Sequence, residues 1–209
     1  MKINLPNQIT IARLLMSIVF FAVLSQFSFR DDPPRYWLLD LAGWLFVIAA
    51  LSDVLDGYLA RMQGQVTAFG RVIDPFVDKV LTGGAFIFLA GSSFAMDGRQ
   101  LSCVTPWMVV LILGRELLVT GLRGFSEAHG AAFGANVFGK TKMLLQSFTV
   151  GWVLFTLAHR EGALAAEFFA TMRFVLVWAT VIVTFLSLVG YVHGVRAILA
   201  ETSRPAETP

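Results

Sequence analysis

The chain has 209 residues, 56% of them hydrophobic and only 14% charged, against roughly 25% charged in an average soluble domain. One water-soluble core of this size cannot bury so much apolar surface, so a bilayer is the expected solvent. A net charge of +2 is too small to argue for nucleic acid, and the single cysteine, Cys103, excludes an intrachain disulfide and makes a cysteine metal cluster implausible.

A spanning helix needs about 20 mostly apolar residues, and six segments meet that need in chain order. They run over Ile9–Phe27, Tyr36–Ala60, Phe76–Met96, Pro106–Leu122, Met143–His159 and Met172–Ile198. The first follows Lys2, Asn7 and Thr10 without a small-residue cleavage site, so it reads as a retained span rather than a signal peptide. Asp31-Asp32-Pro33-Pro34 separates the first two spans, and Asp97-Gly98-Arg99 separates the third from the fourth. Residues 1–200 form one six-span all-α domain on this reading, and the polar tail 201–209, with two prolines, is expected to be disordered. With the N-terminus inside, eleven basic residues fall on the inner side (Lys2, Arg13, Arg61, Arg71, Lys79, Arg115, Arg123, Lys140, Lys142, Arg196, Arg204) and five on the outer (Arg30, Arg35, Arg99, Arg160, Arg173). That bias predicts both termini in the cytoplasm. His129, His159 and His193 lack metal-ligand spacing and are expected at interfaces or in packing.

The chemistry concentrates between the second and third spans. Asp53 and Asp56 are three apart, and Asp74 and Asp78 four apart, so each pair shares a helical face. The polar stretch Met62–Arg71, with Gly64 and Gly70, can turn between antiparallel helices and bring the pairs together at the inner end. Four close carboxylates repel one another and are costly at membrane depth. One or two divalent cations remove the conflict, and all-oxygen ligands without His or Cys favour Mg²⁺ or Mn²⁺. Such ions would clamp a diphosphate and stabilise charge on the leaving phosphate. The competing reading, interface charges paired with Arg61, Arg71 and Lys79, suits any one aspartate better than all four.

These residues resemble the signature of the CDP-alcohol phosphotransferases: Asp, two residues, Asp-Gly, two residues, Ala-Arg, eight residues, Gly, three residues, Asp, three residues, Asp. All eight fixed positions are filled between Asp53 and Asp78. The resemblance implies a six-helix bundle, a homodimer, an active site facing the cytoplasmic leaflet and two metal ions. It implies Asp53, Asp56 and Asp74 as metal ligands, and Asp78 as both ligand and general base for the attacking hydroxyl, with CMP leaving. Gly57 would let the nucleotide approach the helix, or else serve tight helix packing. Arg61 would hold diphosphate or cytidine, or snorkel to the interface. Thr67 matches a hydroxyl that contacts the nucleotide. Asn7 and Thr10, in a segment like the family's N-terminus, would contact the CDP-lipid; Asn7 also suits a helix cap.

Two later clusters bear on the acceptor. Arg115 and Arg123 lie along the inner part of the fourth span, and Lys140 and Lys142 open the fifth. Four cations fit an acceptor with its own phosphate, although the two lysines also suit a positive-inside signal. Glu116 could orient Arg123 or neutralise Arg115. These segments resemble those of phosphatidylglycerolphosphate synthases, except that Met143 follows Lys142 where that element often continues into Thr. The resemblance implies transfer of a phosphatidyl group from CDP-diacylglycerol to glycerol 3-phosphate. Inositol phosphate, serine or phosphatidylglycerol are the alternative acceptors. A divalent-cation transporter would instead need acids spread through the membrane depth, and a lipid-binding scaffold would not need Asp78 at all.

Overall fold

The computed structural model describes residues 5–62, 68–128, 137–159 and 166–202, and side chains within 7–53, 73–124, 141–159 and 166–192. Six helices carry it: α1 (Leu5–Ser25), α2 (Trp37–Met62), α3 (Ala68–Leu89), α4 (Pro106–Ala128), α5 (Val137–Ala158) and α6 (Ala166–Thr202). Each answers to one expected segment, and the fold is helical throughout except for a two-stranded hairpin. Two stretches, Asn7–Ser25 in α1 and Ala166–Val192 in α6, are long and apolar enough to cross a membrane. The other four helices have 22 to 26 residues, which is spanning length. Apolarity alone therefore marks two spans among the described residues, not six.

The third segment differs most from expectation. It was expected over Phe76–Met96, yet α3 starts at Ala68 and ends at Leu89. Its first two turns, which include Gly70, Arg71, Asp74 and Pro75, have low hydropathy, although they form helix. After Leu89 the chain makes a 3₁₀ turn, Ser92–Phe94, and then a hairpin of β1 (Ala95–Met96) and β2 (Arg99–Gln100). Ala95 faces Gln100 and Met96 faces Arg99. Asp97 and Gly98 both take positive φ, at 52° and 73°, as a two-residue hairpin turn requires. The hairpin folds back to close α3: Gln100 Nε2 and Ser102 Oγ each donate to Leu89 O at 2.6 Å. These side chains satisfy a carbonyl that the helix end leaves without an intrahelical partner.

The helices close a ring. α1 packs on α2 and α3, α2 on α5, α5 on α6, α6 on α4, and α4 returns to α3, which also touches α5 across the middle. Its core is aromatic towards the hairpin end, where Phe27, Phe29 and Phe94 meet with ring centroids 4.9 to 6.2 Å apart, and Phe20 reaches Phe46. Outside, Leu15, Trp44, Val110, Leu117, Leu144 and Phe185 are all exposed. A bundle with a packed interior and an apolar exterior on every helix suits a hydrocarbon solvent. The opposite end of the ring, where α2 finishes and α3 begins, holds the aspartates.

Candidate active site

α1 ties the carboxylate helices together. Thr10 and Arg13 lie three apart and so share a face of α1, both 1% exposed. Thr10 Oγ1 donates to Asp74 Oδ1 on α3 at 2.6 Å. Arg13 Nη1 donates to Asp53 Oδ1 on α2 in a close ion pair. One turn of α1 thus reaches both sides of the expected carboxylate cluster. Asp78, one turn beyond Asp74, is near enough to Asp53, Lys79, Arg13 and Lys142 for their charges to act on it. Asn7 is buried close by in sequence, one turn before Thr10.

A second cluster, built from α4, α5 and α6, reaches Asp78 through Lys142. Arg115 is 5% exposed; its Nη2 donates to Ser187 Oγ at 2.6 Å, and its guanidinium lies 5.3 Å from the centre of the Tyr191 ring. Arg123 Nη2 donates to the Tyr191 hydroxyl at 3.1 Å. Lys142 is buried and ion-paired with Glu116 Oε1, which also lies 3.4 Å from Arg115 Nη1. Lys79 donates to its own helix at Pro75 O, 3.2 Å away, and Arg115 and Arg123 are close enough to act on its charge. Of the two roles open to Glu116, neutralising Arg115 therefore holds; Arg123 turns to Tyr191 instead. Arg115, Arg123 and Lys142 face one acid, Glu116, so the cluster carries a surplus of cationic groups.

The fold brings Asp53, Asp74 and Asp78 towards one end, and Arg115, Arg123 and Lys142 towards the same end. Asp56, Gly57 and Arg61 lie on α2 and Lys140 on α5, but their side chains are outside the described residues, as are Thr67 and His129 entirely and the His193 side chain. His159 sits at the far end, 3.6 Å from Asp40 and stacked near Phe155, an interfacial place. Sequence reasoning passed over four contributors. Arg13 was counted only as a basic residue, though a cation three residues from Thr10 on an apolar helix is a signal. Lys79 stands next to Asp78. Ser187 and Tyr191, four apart, are polar positions on one face of the otherwise apolar α6.

A divalent cation suits this end on the chemistry of its donors. Asp53, Asp74 and Asp78 offer hard oxygens, and the described His and Cys residues lie elsewhere. Among the described residues no three such groups are already gathered around one point; the fourth carboxylate, Asp56, would complete the set from α2. Asp53 is held by Arg13 and Asp74 by Thr10, which orients both carboxylates in the way outer partners orient metal ligands.

Comparison with known proteins shows the family. The profile of the CDP-alcohol phosphatidyltransferase family matches residues 3–186. A CDP-diacylglycerol–glycerol-3-phosphate 3-phosphatidyltransferase of Bacillus subtilis is 36% identical over 156 residues, covering 72% of this chain and 76% of its own. The Rickettsia bellii protein of the same name is 37% identical over 147 residues, 70% of this chain and 72% of its own. A probable phosphatidylglycerophosphate synthase of Mycobacterium tuberculosis is 35% identical over 149 residues, 71% of this chain and 64% of its own. With a family signature filled from Asp53 to Asp78 and a profile match over nearly its whole length, the chain belongs to the CDP-alcohol phosphatidyltransferase family.

Proposed function

We infer that the chain transfers a phosphatidyl group from CDP-diacylglycerol to glycerol 3-phosphate, giving phosphatidylglycerophosphate and CMP. The observation that carries this reading is the cationic cluster of Arg115, Arg123 and Lys142, which reaches Asp78 through Lys142 and its neighbour Lys79. A carboxylate next to net positive charge suits an acceptor that brings both a hydroxyl and its own phosphate. Serine, which carries no phosphate, would leave the surplus of cations without a purpose. The relatives that bear the name of this reaction support the same acceptor.

In this reading Asp78 accepts the proton of the attacking hydroxyl, while Arg115, Arg123, Lys140 and Lys142 hold the acceptor phosphate. Asn7, Thr10, Gly57, Arg61 and Thr67 bind the CDP-lipid. Asp53, Asp56, Asp74 and Asp78 would hold Mg²⁺ or Mn²⁺, two ions by the resemblance, in keeping with a family that is generally dependent on divalent metal. Bound there, the metal neutralises the diphosphate and favours departure of CMP. The polar attachments of α1 then act on the ligands: Arg13 and Thr10 fix the carboxylates of Asp53 and Asp74 and so lower the cost of ordering them.

All six helices span the membrane on this proposal, in the inner membrane, with both termini and the active site on the cytoplasmic side. Homodimerisation is carried by the resemblance; exposed Gly114 and Gly121 on α4, with nothing near the place a Cβ would occupy, leave room for close helix contact. A cation transporter is the weaker reading, because the described acids form one group of Asp53, Asp74, Asp78 and Glu116, separate from Asp31, Asp32, Asp40, Asp97 and Glu167 towards the hairpin end, rather than a path from face to face. The deciding experiment gives purified protein CDP-diacylglycerol, Mg²⁺ or Mn²⁺, and each acceptor in turn. CMP release stimulated by glycerol 3-phosphate, and abolished by chelator, is the expected result. Release with inositol phosphate, serine or phosphatidylglycerol alone would reassign the acceptor.

A further inference from the structure

The polar residues between α5 and α6 follow one antiparallel register. Towards the hairpin end, Arg173 Nη1 donates to Thr156 Oγ1 at 3.2 Å. In the middle, the hydroxyls of Thr149 and Thr180 share a hydrogen bond of 2.8 Å. Extended towards the aspartate end, the same register sets Gln146 beside Thr184 and Lys142 beside Ser187. The last of these levels is engaged, since Lys142 pairs with Glu116 and Ser187 accepts from Arg115. The level below it is not. Gln146 is 5% exposed and Thr184 0%, yet Gln146 Nε2 and Thr184 Oγ1 have no hydrogen-bond partner, and neither has Arg115 Nε. Threonine pairs such as Thr149 and Thr180 are simple stitches between helices, each group meeting the other. Buried donors that meet nothing are destabilising, and their survival in a packed interior asks for a ligand.

We propose that Gln146 and Thr184 form the floor of the acceptor site and hydrogen-bond the acceptor hydroxyl that the reaction does not consume. The proposal rests on the transfer reaction inferred above. Glycerol 3-phosphate carries one phosphate and two hydroxyls. The phosphate belongs one level up, at Arg115 and Lys142, and the less hindered primary hydroxyl is the one presented to Asp78. The secondary hydroxyl then points to the remaining polar level. There it can accept from the Gln146 amide and exchange a hydrogen bond with the Thr184 hydroxyl, which both donates and accepts. A site built this way discriminates strongly against an acceptor that lacks the hydroxyl, because its own buried groups then stay unpaired.

The test compares glycerol 3-phosphate with 3-hydroxypropyl phosphate, which keeps the phosphate and the primary hydroxyl but lacks the secondary one. Full-length protein in proteoliposomes with CDP-diacylglycerol should prefer glycerol 3-phosphate in kcat/KM by on the order of 100-fold. Gln146→Leu combined with Thr184→Val should reduce that preference to a few-fold, with KM for CDP-diacylglycerol unchanged and the unfolding temperature equal or higher. Thr184→Val alone, nearly isosteric, should lower the preference by about ten-fold and carries the test if the double variant does not fold. A preference that stays at its natural value overturns the proposal. So does a loss that comes only together with a lower unfolding temperature and a raised KM for the CDP-lipid, which marks a structural stitch. Should the natural protein release no CMP with glycerol 3-phosphate, the transfer reading itself falls and takes this inference with it.

Discussion

At the residue scale, Arg13 and Thr10 of α1 each hold a carboxylate of another helix, Asp53 on α2 and Asp74 on α3, so α1 sets how the two can be presented. Spacing within one chain segment reveals a shared helical face, so Asp53 to Asp78 could be read as a cluster. The ion pair of Asp53 with Arg13 and the hydrogen bond of Asp74 with Thr10 join positions 40 and 64 residues apart, and nothing local encodes them. The pair of Arg13 and Asp53 yields a prediction that spacing alone would not. Arg13 is buried, so Arg13→Gln leaves the Asp53 carboxylate without its guanidinium and should cost about 3–5 kcal/mol of stability. Adding Asp53→Asn should recover part of that loss, because the charge left behind is then gone; denaturation of the two single variants and the double variant measures the coupling. Losses that simply add would mean the pair is not a unit. Asp78→Asn should behave differently. Removing a general base lowers kcat by about 10²–10⁴-fold with the fold intact, and single-turnover CMP release beside an unfolding curve separates the two effects.

At the element scale the six helices could be read from hydropathy, since an apolar run of spanning length has few other uses. The ends could not. α3 begins eight residues before its expected start because Gly70, Arg71, Asp74 and Pro75 interrupt the hydropathy of its first turns, and it ends seven residues early because Ser92 to Met96 are neutral enough to look like span. What stops it is side-chain chemistry from further along, in Gln100 and Ser102. Asp97-Gly98 was legible as a break, though the two-residue turn within it becomes clear only from the φ values. Gly98→Val should therefore cost about 1–2 kcal/mol, the strain of an L-residue held at positive φ. The aspartate end lies across the bundle, so kcat should not change. A fall in kcat at constant stability would show that the hairpin communicates with the site. Packing between α1 and α3 has its own narrow point: a Cβ at Gly84 would run into the Phe21 ring. Gly84→Val should overpack that contact and lower stability by about 1–3 kcal/mol.

At the scale of the whole molecule, charge and shape give the same polarity. Carboxylates and cations of the site lie where α2 ends and α3 begins, while the hairpin, its aromatic cluster and the acids Asp31, Asp32 and Asp97 lie at the opposite end. The apolar exterior between the ends suits a bilayer, and the excess of basic residues at the site end carries the proposal that this end faces the cytoplasm. The single native cysteine makes this orientation measurable. With Cys103→Ser as background, Arg99→Cys places a thiol at the exposed hairpin tip, and Gly124→Cys places one near the inner end of α4, where a Cβ meets nothing within 4 Å. A membrane-impermeant maleimide applied to intact cells should label Arg99→Cys and leave Gly124→Cys unlabelled until the membrane is opened. The reverse pattern would put the aspartates on the outer face, away from a cytoplasmic nucleotide donor. Labelling of both variants in intact cells would mean that the four helices between α1 and α6 do not all cross, and the six-span arrangement would have to be redrawn from the two spans that apolarity alone supports.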